Sequence, residues 1–367
     1  MNARHIGISL GQMRSLRDGL GEVARQFCDR IGRAAADLRR THGIEFWIHS
    51  RPELHGLFGD EVRYLSINKW QRVWHRQPVT FDIWHSLHQL NKTLPPQGAR
   101  HRMVTVHDLN YLYFKGSFSR WRDQRRMEGL MRRTDQVIAI TRHTADDVRR
   151  HLGRKDRIDV VYNGVADLSQ DPRKPLAGIE PGYLFHLSRM SRSKNIEALK
   201  GLVQAWPEQR FLFAGPDGHD TRAVLQWRDA LGLGNLEVRL NLDESEKAWA
   251  YANCSGFLFP SLTEGFGLPP MEAMHFGKPV FLSRLTSLPE VGGDVATYFD
   301  EFGPASMRKC IEQGMASFHS EPTVDRLRAH VDQFSWDECV SQYLTIYLKT
   351  LGLPPAPFTG KESARTR

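Results

Sequence analysis

Short apolar runs alternate with helix-period segments twice along this chain, once on each side of a single polar break, and few folds satisfy that pattern. Runs suited to buried strands stand at Ile6–Leu10, Ile44–Ile48, Phe81–Trp84, Met103–Val106, Val137–Ile140 and Ile158–Tyr162. Between the first two, Val23, Phe27, Ile31 and Leu38 recur at helical spacing after a Gly19-Leu20-Gly21 turn. Thr141 is placed to N-cap a helix running through Leu152, with Asp146 and Asp147 near its start. The stretch Asp167–Pro181, rich in Pro, Gly and polar residues, reads as a linker. The pattern then restarts with strand candidates at Tyr183–Leu187, Phe211–Ala214, Leu236–Leu240, Gly256–Phe259 and Pro279–Leu282. Strand–helix alternation of this kind predicts a parallel sheet covered on both faces. Two such units in succession predict an α/β chain of two Rossmann-like domains facing across a cleft, where a ligand would sit. A last amphipathic segment, Trp336–Leu351, carries Trp336, Val340, Tyr343, Leu344 and Tyr347 on one face. The tail Pro354–Arg367 is polar and expected to be disordered.

Composition narrows the function classes. At 367 residues the chain suits about two domains. No run of about 18 apolar residues exists, so no transmembrane helix is expected. The first residues lack the apolar core of a signal peptide, and Cys28, Cys254, Cys310 and Cys339 are too dispersed for a zinc knuckle or a redox pair. The expected compartment is the cytoplasm. Charge is unevenly spread: residues 1–167 hold 29 Lys and Arg against 18 Asp and Glu, whereas residues 168–367 hold 21 against 24. The basic half suits an anionic partner, be it nucleic acid, a membrane surface or an anionic substrate.

The most informative stretch runs from Phe259 through Pro-Ser-Leu-Thr to Glu264-Gly-Phe-Gly-Leu-Pro-Pro-Met-Glu272. A strand ends, a glycine-bearing loop follows, and Pro269-Pro270 opens a helix that Gly277 stops. Glycines let backbone amides approach a ligand, and a helix N-terminus favours negative charge. Glu264 and Glu272 flank the same loop, and carboxylates accept well from vicinal hydroxyls. Such a site suits a polyol bearing a phosphate. The plainer reading has Glu272 complementing the helix N-terminus and Glu264 capping the loop.

This segment resembles the Glu-x7-Glu element of glycosyltransferase family 4, retaining sugar-nucleotide transferases of the GT-B fold. Ser287-Leu-Pro-Glu-Val-Gly-Gly-Asp294 is similar to the same family's downstream segment. The resemblance is strongest over residues 183–345 and continues in weaker form across 1–167. It implies an acceptor domain at 1–167, a nucleotide-sugar domain at 182–335, and a final helix (336–351) returning to the first. It also implies that Glu264 stands beside the donor sugar, with backbone amides of the Gly265, Phe266, Gly267 and Leu268 loop nearby, and that Glu272 holds the ribose hydroxyls.

The resemblance assigns further positions. In Ser188-Arg189-Met-Ser-Arg192-Ser-Lys194, Arg189 and Lys194 match the cations that stabilise the departing diphosphate; the plainer reading makes all of them surface charges. His107, at the end of the Met103–Val106 strand, matches a histidine near the reacting end of the donor sugar, although a lone histidine there is as readily a core residue. Gly19 and Gly21 match a glycine-rich first loop near the donor phosphate, with Asp18 replacing a frequent glycine. Asn241 stands where the family often carries a glycine near the nucleotide base. His85 and His88 follow a strand end and are candidates for the acceptor side. No Asp-x-Asp triplet is present, and with fixed cations available no metal and no cofactor are expected.

Ser117–Arg133 bears six arginines, with Phe118, Trp121 and Leu130 as an apolar side. It reads either as a basic amphipathic helix on an anionic membrane or as a packed helix with a charged outer face. The combined expectation is a metal-independent retaining hexosyltransferase, cytoplasmic and peripheral to the inner face of the cytoplasmic membrane. Mannosyl transfer from GDP-mannose to a saccharide or lipid-linked acceptor of bacterial surface polysaccharide or lipopolysaccharide is the first choice. UDP-hexose donors, and a GT-B-like epimerase or phosphorylase, stay open. A nucleic-acid binder would explain the basic half but not paired glutamates, which repel phosphates, so no nucleic acid is expected as partner.

Overall fold

In a computed structural model, residues 3–356 are described apart from 14, 15, 17, 18, 115, 155 and 321–323. The chain divides into two units, residues 1–164 with 334–367, and residues 165–333. Unit 1 carries strands β1 (Arg4–Ser9), β2 (Ile44–Ser50), β3 (Arg63–Ser66), β4 (Ile83–Ser86), β5 (His101–Val106), β6 (Gln136–Ala139) and β7 (Ile158–Val160). Its helices are α1 (Gly19–His42), α2 (Tyr111–Phe114), α3 (Ser117–Met131) and α4 (Arg142–Leu152). The strands form one sheet in the order β3-β2-β1-β4-β5-β6-β7, every pairing parallel.

Unit 2 repeats the scheme with β8 (Leu184–Leu187), β9 (Phe211–Gly215), β10 (Leu236–Leu240), β11 (Gly256–Phe259), β12 (Val280–Ser283) and β13 (Thr297–Phe299). Its helices are α5 (Ile196–Ala205), α6 (His219–Leu231), α7 (Glu244–Asn253), α8 (Leu268–His275), α9 (Leu288–Gly292), α10 (Pro304–Ser320) and α11 (Val324–Val331). The sheet order is β10-β9-β8-β11-β12-β13, again all parallel. The fold is α/β with two Rossmann-like units. Every residue of β4, β11 and β12 is buried, as strands covered on both faces require.

Strand order decides where a ligand can bind. In unit 2 the chain winds outward from β8 to β10, then crosses back and winds the other way from β11 to β13. The connections after β8 and β11 therefore leave the carboxyl edge in opposite directions and open a crevice there. Unit 1 has the equivalent reversal between β1 and β4.

A last helix, α12 (Trp336–Thr350), belongs to unit 1. Ser335 caps it, and Trp336, Val340, Tyr343, Leu344 and Tyr347 join the core formed by α1 and β1. Tyr343 hydroxyl lies 2.9 Å from Thr105 Oγ1, and Arg30 Nε donates to Asp337 Oδ1 at 2.6 Å. Gly164 makes this docking possible, because a Cβ there would stand 2.3 Å from the Trp336 backbone nitrogen.

Several boundaries follow the sequence pattern closely. Thr141 accepts from the Thr144 amide and α4 ends at Leu152 with Gly153 left-handed behind it. Two expectations are corrected. Gly19 and Gly21 do not form a turn ahead of the first helix. Gly19 opens α1 and Gly21 is buried within its first turn, neither with positive φ, while Asp18 lies outside the described residues. Nor do Phe118, Trp121 and Leu130 share one apolar side of α3. Leu130 packs with buried Met127 and Met131, whereas Phe118 and Trp121 stack on each other in solvent. Residues 357–367 of the expected disordered tail lie outside the described residues.

Candidate functional site

Two loops meet at the carboxyl edge of the unit 2 sheet, one after β8 and one after β11, which are neighbours in that sheet. A hydrogen bond from the Leu262 amide to the Ser193 carbonyl (2.8 Å) ties them together.

The loop after β8 is built to hold Arg189 at its turn. His186 Nδ1 donates to the Leu258 carbonyl at 2.8 Å, which leaves Nε2 to accept from Ser188 Oγ at 2.6 Å. Ser188 Oγ in turn accepts from the Met190 amide at 2.9 Å, fixing Met190 at a left-handed φ of 52°. Burial pushes the His186 imidazole down to about 4, so this relay stays neutral. Arg189 itself is exposed, and Lys194 follows in a short 3-10 turn ended by Asn195, also left-handed.

The loop after β11 presents Glu264. Its amide donates to Thr286 Oγ1 at 3.0 Å, and its carbonyl accepts from Ser287 Oγ at 3.0 Å. Gly267, at φ 102°, turns the chain into α8, a conformation that favours glycine. Lys194 Nζ donates to Glu264 Oε1 at 2.5 Å and lies 5.5 Å from the centre of the Phe259 ring. Both side chains are mostly buried, at 19% and 10% exposure.

Glu272, about one turn into α8, is 9% exposed. The Tyr251 hydroxyl on α7 donates to its Oε2 at 2.7 Å. Tyr251 is fully buried, and desolvation together with the adjacent carboxylate raises its phenol well above the ordinary value. It is therefore a fixed donor that orients one carboxylate oxygen.

The structure thus brings Lys194, Glu264 and the Gly265–Leu268 turn together, with Arg189 on the same edge and Glu272 behind the turn. Asn241 stands at that edge after β10, at a left-handed φ of 53°, and its Oδ1 accepts from the Asp217 amide. Gly265, Phe266 and Gly267 are buried. Sequence reasoning missed Tyr251, Thr286 and the His186–Ser188 relay. Thr286 and Ser188 had nearby signals, since Thr286 precedes the Ser287-Leu-Pro-Glu segment and Ser188 opens the motif that carries Arg189 and Lys194.

The remaining candidates belong to unit 1. His85 does not line an acceptor surface. It is fully buried, with Nδ1 2.5 Å from the Tyr347 hydroxyl and Nε2 2.9 Å from Thr105 Oγ1, and desolvation lowers it to about 3. On β4 its side chain faces α12, which no local pattern foretells. His88 is 8% exposed at the crevice between β1 and β4, with Nε2 3.0 Å from the Leu10 carbonyl. His107 is 5% exposed, donates from Nε2 to the Leu87 carbonyl at 2.9 Å, and is held near 4 by burial. Its backbone amide donates to Gln89 Oε1 at 3.0 Å. His107 is neutral at physiological pH.

Known proteins match both units. A model of "Glycosyltransferase Family 4" covers residues 27–167 and one of "Glycosyl transferases group 1" covers residues 169–300, in direct succession. The chain belongs to glycosyltransferase family 4.

Relatives of this family 4 chain include the O-antigen chain mannosyltransferase B of Escherichia coli, 30% identical over 173 residues, 45% of each chain. The serotype-specific mannosyltransferase WbdA of the same organism is 28% identical over 226 residues, 56% of this chain and 27% of that one. The matched segments thus span less than half the length of these curated relatives. Among solved structures, sucrose-phosphate synthase from Thermosynechococcus elongatus superposes with a TM-score of 0.69 at 17% identity, over 95% of this chain and 99% of that one. Anabaena HepE, solved in complex with UDP and glucose, gives 0.67 at 16% identity, over 94% and 100%. At these identities the likeness is one of fold, and the fold is GT-B.

Proposed function

We propose that the chain is a metal-independent, retaining hexosyltransferase that takes mannose from GDP-mannose. The acceptor is a saccharide or lipid-linked saccharide of bacterial surface polysaccharide or lipopolysaccharide, and the enzyme works in the cytoplasm against the inner membrane face. The mannosyltransferase relatives support the choice of sugar and of pathway class. The observation that carries the reading is the Lys194–Glu264 pair beside Arg189, with a second carboxylate, Glu272, oriented behind the same turn.

An arriving diphosphate competes with Glu264 for the Lys194 ammonium. As the ammonium turns to phosphate, the carboxylate is released to accept a sugar hydroxyl, so one binding event arms both groups. Glu272, oriented by Tyr251, accepts from the ribose diol. When the glycosyl bond breaks, negative charge grows on the leaving diphosphate, and Arg189 and Lys194 stabilise it more strongly than in the ground state. Those two cations do the work a divalent metal does elsewhere.

A thermal-unfolding panel of GDP- and UDP-sugars tests the reading, since a ligand bound only to the folded state raises the midpoint. GDP-mannose is expected to give the largest rise, unchanged by EDTA. A rise with no nucleotide sugar, or one requiring a divalent ion, contradicts it.

A further inference from the structure

We propose that the carboxyl edge of the unit 1 sheet carries a docking surface for an anionic lipid bilayer, built from the segments that follow β3, β4 and β5. This deepens the reading of a membrane-side transferase and rests on it for its purpose.

Of the ten large hydrophobic side chains exposed among the described residues, seven lie on these three segments: Trp70, Val73, Trp74, Leu90, Tyr113, Phe118 and Trp121. Trp70, Val73 and Phe118 are 81%, 79% and 74% exposed. The segments are bonded in a row. The Leu94 amide donates to the Gln71 carbonyl at 2.8 Å, and His75 Nδ1 donates to the Leu94 carbonyl at 2.7 Å. Arg126 Nη2 donates to the Leu90 carbonyl at 2.6 Å, joining α3 to the same edge. Trp70 stands on a short 3-10 turn, Lys69–Arg72, that Asn68 and Gln71 lock in a capping box, and just beyond it the Trp74 amide donates to the Trp70 carbonyl at 2.9 Å, so both indoles are presented by a hydrogen-bonded backbone.

Charge identifies the occupant. Residues 63–81 contain Arg63, Lys69, Arg72 and Arg76 and no acidic residue. Lys69, Arg72 and Arg76 are exposed beside the two tryptophans. On α3, Arg122 and Arg125 stand exposed beside Trp121, with the Arg125 guanidinium 5.9 Å from the centre of its ring. Tryptophan favours the level of the lipid headgroups, and lysine and arginine are drawn to anionic headgroups. A neutral glycan would call for the rings but not for the cations. Among the described residues, no helix is long and apolar enough to cross a membrane; this surface lies on one instead.

The test is co-sedimentation of the full chain with phosphatidylglycerol-containing vesicles and with phosphatidylcholine vesicles, alongside GDP-mannose thermal shifts on the same preparations. Binding to the anionic vesicles alone is expected, weakening with salt. Each cation near an anionic surface is worth roughly fivefold in partitioning, so K69E/R72E/R76E should lower vesicle binding by at least roughly a hundredfold. W70A/W74A should lower it at least tenfold, and both variants should keep the wild-type thermal shift. Equal binding to neutral vesicles, no binding, or unchanged binding by both variants overturns the proposal. So does binding of soluble oligosaccharide, or self-association in solution, that the tryptophan variant abolishes while vesicles are never bound. Vesicle binding with no thermal shift from any nucleotide sugar leaves the surface standing and refutes the transferase reading instead.

Discussion

Lys194 and Glu264, seventy residues apart in sequence, form a 2.5 Å ion pair because β8 and β11 lie side by side and the loops that follow them are tied at Ser193 and Leu262. The pair has two consequences. It gives a mostly buried ammonium and a mostly buried carboxylate each a counter-charge, and in the proposed function it is the contact that an arriving diphosphate must break.

Removing either cation of this edge should impair catalysis more than folding. Lys194→Ala and Arg189→Ala are each expected to lower kcat by about a hundredfold or more, the scale of losing a charge-stabilising donor. The Lys194 variant also strands Glu264, so Lys194→Ala/Glu264→Gln serves as its control. Steady-state kinetics with far-ultraviolet circular dichroism checks this, and near wild-type turnover in both single variants would refute the assigned roles.

Tyr251 should act on donor affinity through Glu272. Tyr251→Phe deletes one buried hydrogen bond to a carboxylate and is expected to cost about 1.5–3 kcal/mol of stability. It should also raise the KM for the sugar nucleotide with little change in kcat. The same variant should discriminate less against a 2′-deoxyribose donor than wild type does. If KM is unmoved, Tyr251 serves packing alone.

Three buried histidines of unit 1 should make it sensitive to acid. Burial lowers His49 and His85 to about 3 and His107 to about 4, whereas an unfolded histidine protonates near its ordinary value of about 6.5. Between about pH 6.5 and 4 the unfolded chain therefore binds more protons, so stability falls as pH falls. Each histidine contributes up to about 1.4 kcal/mol per pH unit within that window. Urea midpoints at pH 7.5 and 5.0 measure this, and His85→Gln should show a shallower decline. A midpoint that rises on acidification contradicts the assignment.

Gly164 should be intolerant of any side chain. A methyl group there would stand 2.3 Å from both the backbone nitrogen and the ring of Trp336, so α12 must shift. Gly164→Ala is expected to cost about 1–3 kcal/mol, typical of overpacking, and to expose Trp336 to quenching. An unchanged thermal midpoint would show that α12 adjusts freely.

The fold was legible wherever the sequence pattern is local. Both parallel sheets, the α4 cap at Thr141 and the Glu264–Glu272 turn stand in contiguous residues whose chemistry speaks for itself. The short strands β3 and β13 were not legible, because β3 has no buried residue, β13 buries only Phe299, and neither carries an apolar run. The helix start at Gly19 was misread because two glycines signal a turn, although neither needs positive φ here. His85 was misassigned because a strand end shows which edge a residue is near, not which face its side chain takes. Its partner Tyr347 is 262 residues away. Tyr251 escaped notice for the same reason, since only tertiary packing brings α7 against α8.

The most direct measurement is a crystal structure of the chain with bound GDP-mannose. The account predicts diphosphate oxygens within about 3 Å of Lys194 Nζ and the Arg189 guanidinium, the ribose diol on the Glu272 carboxylate, and the Lys194–Glu264 contact broken. A nucleotide bound elsewhere, with that ion pair intact and Glu272 far from any sugar, would contradict it.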